Sequence, residues 1–162
     1  MTAQQDFDVE ERPTSLPWPP ILLIVVAGAA VLLGQVSPLP WPGLGNLPAR
    51  VVGVGFGAAG VVLLVTAVLT LRRHGTTVQP NVGATTLVTS GPFRFFRNPI
   101  YLADALILFG VAEITANVWF VIAALVFGLL VTWFAILPEE RHLERRFGQA
   151  YLDYKAKTRR WL

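Results

Sequence analysis

The chain has 162 residues with a net charge of +3, and 54% of them are hydrophobic but only 14% charged. Because soluble domains carry about 25% charged residues, this composition predicts a protein that resides in a lipid bilayer. The chain contains no cysteine, which excludes disulfides and thiolate-bound metals, and its two histidines lack metal-ligand spacing, so no metal site is expected.

Four apolar runs dominate the sequence, and a transmembrane helix needs about 20 such residues. The third run is the shortest and contains Asp104 and Glu113. The acidic segment 1–17 before the first run differs from the basic start of a secretory signal. We therefore predict an all-α, multi-pass membrane protein with four transmembrane helices, over residues 18–36, 49–71, 100–116 and 118–137. The first two helices would form one region, 18–71, and residues 72–162 a second.

Basic residues are concentrated at one side of these runs. Between the second and third runs lie Arg72, Arg73, Arg94 and Arg97, and seven more basic residues follow the fourth run. The positive-inside rule therefore predicts that both termini and the loop 72–99 face the cytoplasm of a cell membrane. Since the basic tail directly follows a membrane helix, it is interpreted as contacting anionic lipid and not nucleic acid.

The tail after the fourth run has a helical period. Leu143, Phe147, Tyr151 and Tyr154 recur at spacings of four, four and three residues, which places them on one face. Pro138 suits a first helical turn, and the acidic pair that follows it suits the positive end of a helix dipole. These features predict one amphipathic helix from Glu139 to about Lys157, lying at the membrane surface.

The glycine-rich stretch GFGAAG, residues 55–60, matches the dinucleotide-binding fingerprint. That motif requires a preceding strand and an acidic residue about 20 positions later. Here it lies inside an apolar run, and no Asp or Glu occurs between Arg72 and Gly91. We therefore interpret Gly53 and Gly57 as a small-xxx-small surface that lets two membrane helices approach closely.

The segment GPFRFFRNP, residues 91–99, is called the elbow here. Gly91 and Pro92 favour a turn, and Pro99 drives Asn98 out of helical geometry, so the chain bends and a helix restarts. Arg94 and Arg97 suit lipid phosphates or a ligand carboxylate. The alternative is an interfacial anchor in which these arginines and the nearby phenylalanines lie at head-group depth.

Asp104, shortly after the elbow, is unusual for a membrane helix. A carboxylate there costs about 2.5–3.5 kcal/mol on insertion scales and marks a candidate functional site. The alternative is that Asp104 reaches the head-group layer from the start of its helix.

The ordered motifs of the second half resemble one enzyme family. They are LVTSGPFRFFRNPIYLAD, residues 87–104, and PEERHLERRFGQAYLDYKAKTRRWL, residues 138–162. This combination, which extends over about residues 72–162, is similar to the isoprenylcysteine carboxyl methyltransferases, a family grouped with the phospholipid N-methyltransferases.

The resemblance implies that S-adenosylmethionine binds at the cytoplasmic membrane face. The positions that it assigns to the cofactor are Gln79, Thr85, Thr86, Leu87, Val88, Phe93, Asn98, Pro99, Ile100, Tyr101, Glu139 and Glu140. Asp104 and Arg141 are candidates for contact with the methyl acceptor. Two positions depart from the family pattern: Asn98 replaces a histidine, and Ala135 replaces an arginine that grips a substrate carboxylate in carboxyl-methylating members.

These features predict a membrane methyltransferase for a hydrophobic or amphiphilic acceptor. The methyl carbon is already activated by the cofactor, so the protein needs mainly to orient the nucleophile and exclude water. The acceptor atom stays open between a carboxylate, a phospholipid amine and a thiol. Two other functions remain: an NADPH-dependent membrane reductase, whose class shares a related cofactor region, and a non-catalytic membrane anchor.

Overall fold

The computed structural model of the chain describes residues 18–41, 47–75 and 86–162. Every regular element in these ranges is helical, and the one strand-like feature is an isolated bridge between Phe96 and Arg159. The helices are α1 Trp18–Val36, α2 Leu47–Arg73, α3 Pro99–Thr115, α4 Val118–Val131, α5 Leu137–Phe147 and α6 Gln149–Lys157, with a 3₁₀ turn at Gly91–Arg94 and a π-helical turn at Thr132–Ile136. The predicted all-α class is confirmed for these ranges.

Three helices within the described ranges are long enough and apolar enough to cross a membrane: Trp18–Val36, Arg50–Arg73 and Val118–Phe147. They correspond to the first, second and fourth predicted runs. The third run forms α3, whose 17 residues extend about 25 Å at 1.5 Å per residue. Its crossing of the membrane stays a prediction.

Helices α2 and α3 pack antiparallel through glycines. A Cβ added at Gly57 would lie 2.9 Å from the Cα of Gly110, and one added at Gly60 would lie 2.8 Å from the carbonyl oxygen of Ala103. Such distances leave no room for a side chain, so the two backbones are in direct contact. The interpretation of the GFGAAG stretch as a packing surface is confirmed, and its partner lies within the same chain.

Helices α1 and α4 also run antiparallel. Trp18 at the start of α1 stacks on Phe134 with ring centroids 5.2 Å apart. At the other end of both helices, the Asn117 Nδ2 donates to the Ala30 carbonyl at 3.1 Å, and the Trp119 Nε1 donates to the Ser37 carbonyl at 2.8 Å. The four helices therefore alternate in direction, and one end of the bundle, here called the elbow end, carries Trp18, Arg73, the elbow and α5.

The buried core lies between α1, α3 and α4. Its most enclosed side chains include Phe127, Val131 and Ile136, each with 0% exposure. The outer faces of α1 and α2 are apolar and exposed, as at Ile24 and Val62. In a bilayer these faces are solvated by lipid tails, so they need no protein partner.

The tail differs from its predicted form. The helical backbone that begins at Val118 continues through the π-helical turn to Phe147, and Pro138 lies in the first turn of α5, directly after the π-helical turn. Proline lacks an N–H and collides with the carbonyl one turn earlier, and the π-helical turn directly before it, in which the Leu137 N–H donates to the Thr132 carbonyl, absorbs that conflict.

Gly148 then ends the helix. It adopts a φ of +52°, and α6 begins at the next residue. The prediction of one amphipathic helix from Glu139 to Lys157 is wrong, because this backbone turn separates Leu143 and Phe147 from Tyr151 and Tyr154.

Candidate functional site

The last residues of the chain cross over the elbow. The Arg97 N–H donates to the Arg159 carbonyl at 2.8 Å, and the Arg159 N–H donates to the Phe95 carbonyl at 3.1 Å. These two bonds form the isolated parallel bridge. Residues 158–161, here called the strap, therefore extend the elbow as a second backbone segment.

Side chains add to this attachment from both directions. The Asn98 Nδ2 donates to the Arg160 carbonyl at 3.0 Å, and the Tyr154 hydroxyl donates to the Phe93 carbonyl at 2.7 Å. At the end of the strap, the Trp161 Nε1 donates to the Thr132 hydroxyl at 3.3 Å. The elbow is thereby held against α6, and the strap against the π-helical turn.

Glu140 forms an ion cluster with two arginines, in which the side chains of Glu140 and Arg97 are enclosed and that of Arg160 is 37% exposed. Arg160 binds both of its carboxylate oxygens, Nε to Oε1 at 3.0 Å and Nη2 to Oε2 at 2.7 Å, and the Arg97 Nε approaches Oε1 at 3.3 Å. Glu140 is only 6% exposed. The bond to Glu140 raises the pKa of Arg160 above its ordinary value. A bidentate arginine–carboxylate pair of this kind fixes the orientation of the two side chains as well as pairing their charges.

The Arg97 guanidinium also binds backbone carbonyls at the end of α6. Its Nη1 donates to the carbonyls of Thr158 at 2.5 Å and Lys155 at 3.0 Å, and its side chain is 10% exposed. The interpretation of Arg97 as an anchor for lipid phosphate or ligand carboxylate is therefore wrong. Arg94 is exposed, with its guanidinium 6.0 Å from the centre of the Phe95 ring, and stays a candidate for that role.

A second acidic group lies one residue before Glu140. The Glu139 Oε2 is 3.5 Å from the hydroxyl of Tyr101, a long hydrogen bond, and Tyr101 is 9% exposed. Asp104 follows Tyr101 by three residues on α3, so the two side chains lie on neighbouring positions of one helix face. The start of α3 and the acidic pair therefore converge, although 38 residues separate Tyr101 from Glu139.

The predicted cofactor residues have unequal places in this arrangement. Phe93, Asn98, Tyr101, Glu139 and Glu140 are brought together by the contacts above, and Pro99 and Ile100 continue the same backbone into α3. Val88 is buried, Leu87 is half-buried and Thr86 is exposed. Gln79 and Thr85 lie outside the described residues. Of the two acceptor candidates, Asp104 is half-buried and Arg141 is exposed.

The two departures from the family pattern have clear structural settings. The Asn98 side chain is bound to the strap, so residue 98 connects the elbow to the tail. Ala135 lies in the π-helical turn, is 4% exposed and belongs to the hydrophobic core. Any carboxylate-binding cation must therefore come from another position.

Arg160, Trp161 and Thr132 were not among the predicted site residues. In the sequence, Arg160 is one of several basic residues in the tail, and nothing distinguishes it from the others. Its partners lie 20 and 62 residues earlier in the chain, and no local period signals such contacts.

Fold and site together define a helical membrane protein whose polar end is built from an elbow, an acidic pair and a strap. The model of the phospholipid methyltransferase family matches residues 48–150, which is more than half of the chain, and the chain belongs to that family. The resemblance to the isoprenylcysteine and phospholipid methyltransferases is thereby confirmed. The family assignment identifies an integral-membrane protein of methyltransferase type.

One curated relative has no described function. The chain is 38% identical over 63 residues to an uncharacterized protein of Haemophilus influenzae, a match that covers all of that protein and 39% of this chain. No solved structure matches the chain. The described residues contain no group of three or more His, Asp or Glu side chains that could hold a metal ion.

Proposed function

We propose that this chain is an S-adenosylmethionine-dependent methyltransferase that acts at the membrane surface on an amphiphilic acceptor. The observation that carries the proposal is the convergence of the elbow with the acidic pair. Tyr101 meets Glu139, and Arg97 meets Glu140, across 38 and 43 residues of chain. Of these four residues, the family resemblance assigns Tyr101, Glu139 and Glu140 to the cofactor.

The chemistry of these residues fits the cofactor. S-adenosylmethionine supplies a methyl group on a positively charged sulfur and also carries an amino group and a carboxylate. The Glu139 carboxylate and the rings of Phe93 and Tyr101 suit the positive groups. The first-turn amides of α3, at Ile100 and Tyr101, have no carbonyl one turn earlier within the helix, so they suit the carboxylate. Glu140 would then act by holding the elbow in place.

The proposed topology has four membrane crossings and places the elbow end in the cytoplasm. Helix α3 runs along α2 in direct backbone contact, which supports a crossing of comparable depth. The exposed arginines Arg72, Arg73 and Arg94 share this end with the basic tail, as the positive-inside rule requires. Residues 18–71 would form a lipid-embedded scaffold and residues 72–162 the cofactor-binding region of a cell-membrane enzyme.

The charges around the site favour an amine as the acceptor. The position expected to grip a carboxylate is a buried alanine, and Arg97 is engaged by Glu140 and by the tail. Asp104 and Glu139 instead place two carboxylates beside Tyr101. A carboxylate acceptor would be repelled there, whereas an ammonium group would be attracted. The exposed Arg141 suits the phosphate of an amine-bearing phospholipid.

The chain has two tasks in the proposed reaction. Glu139 and the elbow orient the methyl donor, and Asp104 accepts a proton from the ammonium group of the acceptor. S-adenosylmethionine held by these residues would supply the methyl group to the freed nitrogen lone pair, and the electron pair of the broken C–S bond would stay on its sulfur. Placing the nitrogen in line with that bond and keeping water out accounts for most of the protein's contribution.

Labelling of lipids tests this function. The purified protein is incubated in liposomes of total bacterial lipid extract with methyl-labelled S-adenosylmethionine, and the labelled product is treated with base and analysed by mass spectrometry. We expect a base-stable N-methylated lipid. A base-labile methyl ester or a methyl thioether would refute the amine acceptor and keep the methyltransferase. No labelled product with any lipid would refute both.

A matched pair of variants on α3 sharpens this experiment. Asp104→Asn should abolish most of the labelling because it removes the proton acceptor. Glu113→Gln changes the second carboxylate of the same helix, which lies at the opposite end of the bundle beside Gly53. It should retain labelling. Equal activity of the two variants would exclude Asp104 from the reaction.

A further inference from the structure

Tyr151 on α6 is a buried tyrosine whose hydroxyl has no hydrogen-bond partner within the described part of the chain. The residue is 1% exposed. A buried tyrosine hydroxyl normally finds a partner, because an unpaired polar group costs folding free energy. Such a group in a native site calls for a specific explanation.

The neighbouring tyrosine shows that the local structure can satisfy such a hydroxyl. Tyr154 lies one turn further along α6, with its ring 6.1 Å from that of Tyr151, and its hydroxyl donates to the Phe93 carbonyl. Thus α6 presents two tyrosines, one bound to the elbow and one whose hydroxyl has no partner among the described residues.

The Tyr151 hydroxyl lies within the electrostatic reach of the candidate site. Burial raises the pKa of Tyr151 above its ordinary value, and the charge of Glu140 raises it further. The charge of Arg97 lowers this pKa, and Glu139 and Glu144 raise it by smaller amounts. The strap residue Arg160 also interacts with this phenol. The phenol therefore interacts electrostatically with both members of the acidic pair, and a protonated tyrosine hydroxyl is a hydrogen-bond donor.

We propose that the Tyr151 hydroxyl is a further binding group of the site, which donates its hydrogen bond to an uncharged oxygen or nitrogen of the bound methyl donor. This inference rests on the proposed function. An uncharged acceptor, such as the nucleoside portion offers, fits better than a carboxylate because Glu139 and Glu140 already place negative charge nearby. The bound ligand would then satisfy the hydrogen bond that the protein alone leaves unmade.

Access to this buried group depends on the strap. Residues 158–161 follow α6, belong to no helix and hold Arg160 against Glu140. Opening the strap would break its two backbone bonds to the elbow and the side-chain bonds of Asn98 and Arg160, while the helices stay folded. Ligand entry beneath the strap would bring an acceptor atom to the phenol.

The test compares Tyr151→Phe with Tyr154→Phe in detergent. Thermal unfolding reports stability, and calorimetric titration with S-adenosylhomocysteine reports affinity. For Tyr151→Phe we expect an unchanged or slightly higher Tm, because an unpaired hydroxyl is removed, together with about tenfold weaker binding. Tyr154→Phe should lower the Tm, because it breaks the bond to Phe93. If the role of Tyr151 were only structural, Tyr151→Phe would not weaken binding of S-adenosylhomocysteine while the Tm stayed unchanged.

The outcomes separate this inference from the proposed function. If the unmodified protein binds S-adenosylhomocysteine and Tyr151→Phe binds it equally well, solvent satisfies the phenol and the inference is refuted. A lower Tm for Tyr151→Phe would mean that the hydroxyl bonds within the protein, which also refutes it. If the unmodified protein shows no binding, the proposed function fails, and the inference fails with it.

Discussion

The two halves of the molecule are stabilised in different ways. In α1 and α2 the outer faces are apolar and exposed, and hydroxyls such as those of Thr66 and Thr70 bond only to their own helix. From the elbow to the strap, polar side chains bond to partners as far as 87 residues away. Lipid acts as the solvent for the first half, whereas named polar contacts determine the second. Substitutions should therefore have unequal effects in the two halves.

The largest loss of stability is expected for Glu140→Ala. This change leaves Arg97 and Arg160 without their carboxylate, and breaking a buried ion pair by removing one partner costs about 3–5 kcal/mol. Unfolding in detergent measures the change. The control is Glu144→Gln, which breaks the more exposed pair of Glu144 with Lys155 and should cost about 0–1 kcal/mol. Equal losses would show that the cluster around Glu140 does not stabilise this half.

The next effect is expected in the strap. Arg160→Gln removes the two-pronged bond to Glu140 while Arg97 remains, and hydrogen bonds to charged groups contribute about 1.5–3 kcal/mol. Arg159→Gln is the matched control, because Arg159 binds the elbow through its backbone and its side chain is exposed. Hydrogen exchange at the amides of residues 97 and 159 should accelerate in the first variant only. Acceleration in both variants would mean that the positive charge of the strap holds it to the elbow, and not the specific bond between Arg160 and Glu140.

A smaller effect is expected where the two halves meet. In Gly57→Val the new side chain would collide with Gly110, and overpacking of this kind costs about 1–3 kcal/mol. In Gly55→Val, on the same helix, the new Cβ meets nothing within 4 Å, so the Tm should stay close to that of the unmodified protein. A loss in the Gly55 variant would place a partner on a face that we assign to lipid.

The smallest effect is expected on the lipid-facing surface of the first half. Leu32 is 63% exposed on α1, and truncation to alanine exchanges contacts with lipid for other contacts with lipid. The change in unfolding free energy should stay within about 0.5 kcal/mol. A loss of several kcal/mol in liposomes would indicate a protein partner on this face.

Much of the fold follows from local sequence. The apolar runs predict α1 to α4 to within a few residues, because their length reflects bilayer thickness. Pro99 predicts the start of α3, since a proline fits a first turn and excludes helix before it. The apolar runs and the proline signal can both be recognised within segments of fewer than about 25 residues.

The parts that were mispredicted depend on contacts between distant segments. Pro138 has the same first-turn signal as Pro99, but a π-helical turn carries the helix through it. Arg97 has the chemistry to bind a ligand anion, and the structure gives it Glu140 instead. A sequence shows that a cation needs an anion, but not whether the anion is a residue 43 positions later or a ligand.

The central claim is that the start of α3 and the acidic pair form one site for the methyl donor. Calorimetric titration of the purified protein with S-adenosylhomocysteine, with NADPH as the competing ligand and Glu139→Gln as the variant, tests it most directly. We predict saturable micromolar binding of S-adenosylhomocysteine, no binding of NADPH, and at least tenfold weaker binding in the variant. Binding of NADPH alone, no binding of either ligand, or equal affinity in the variant would contradict the claim.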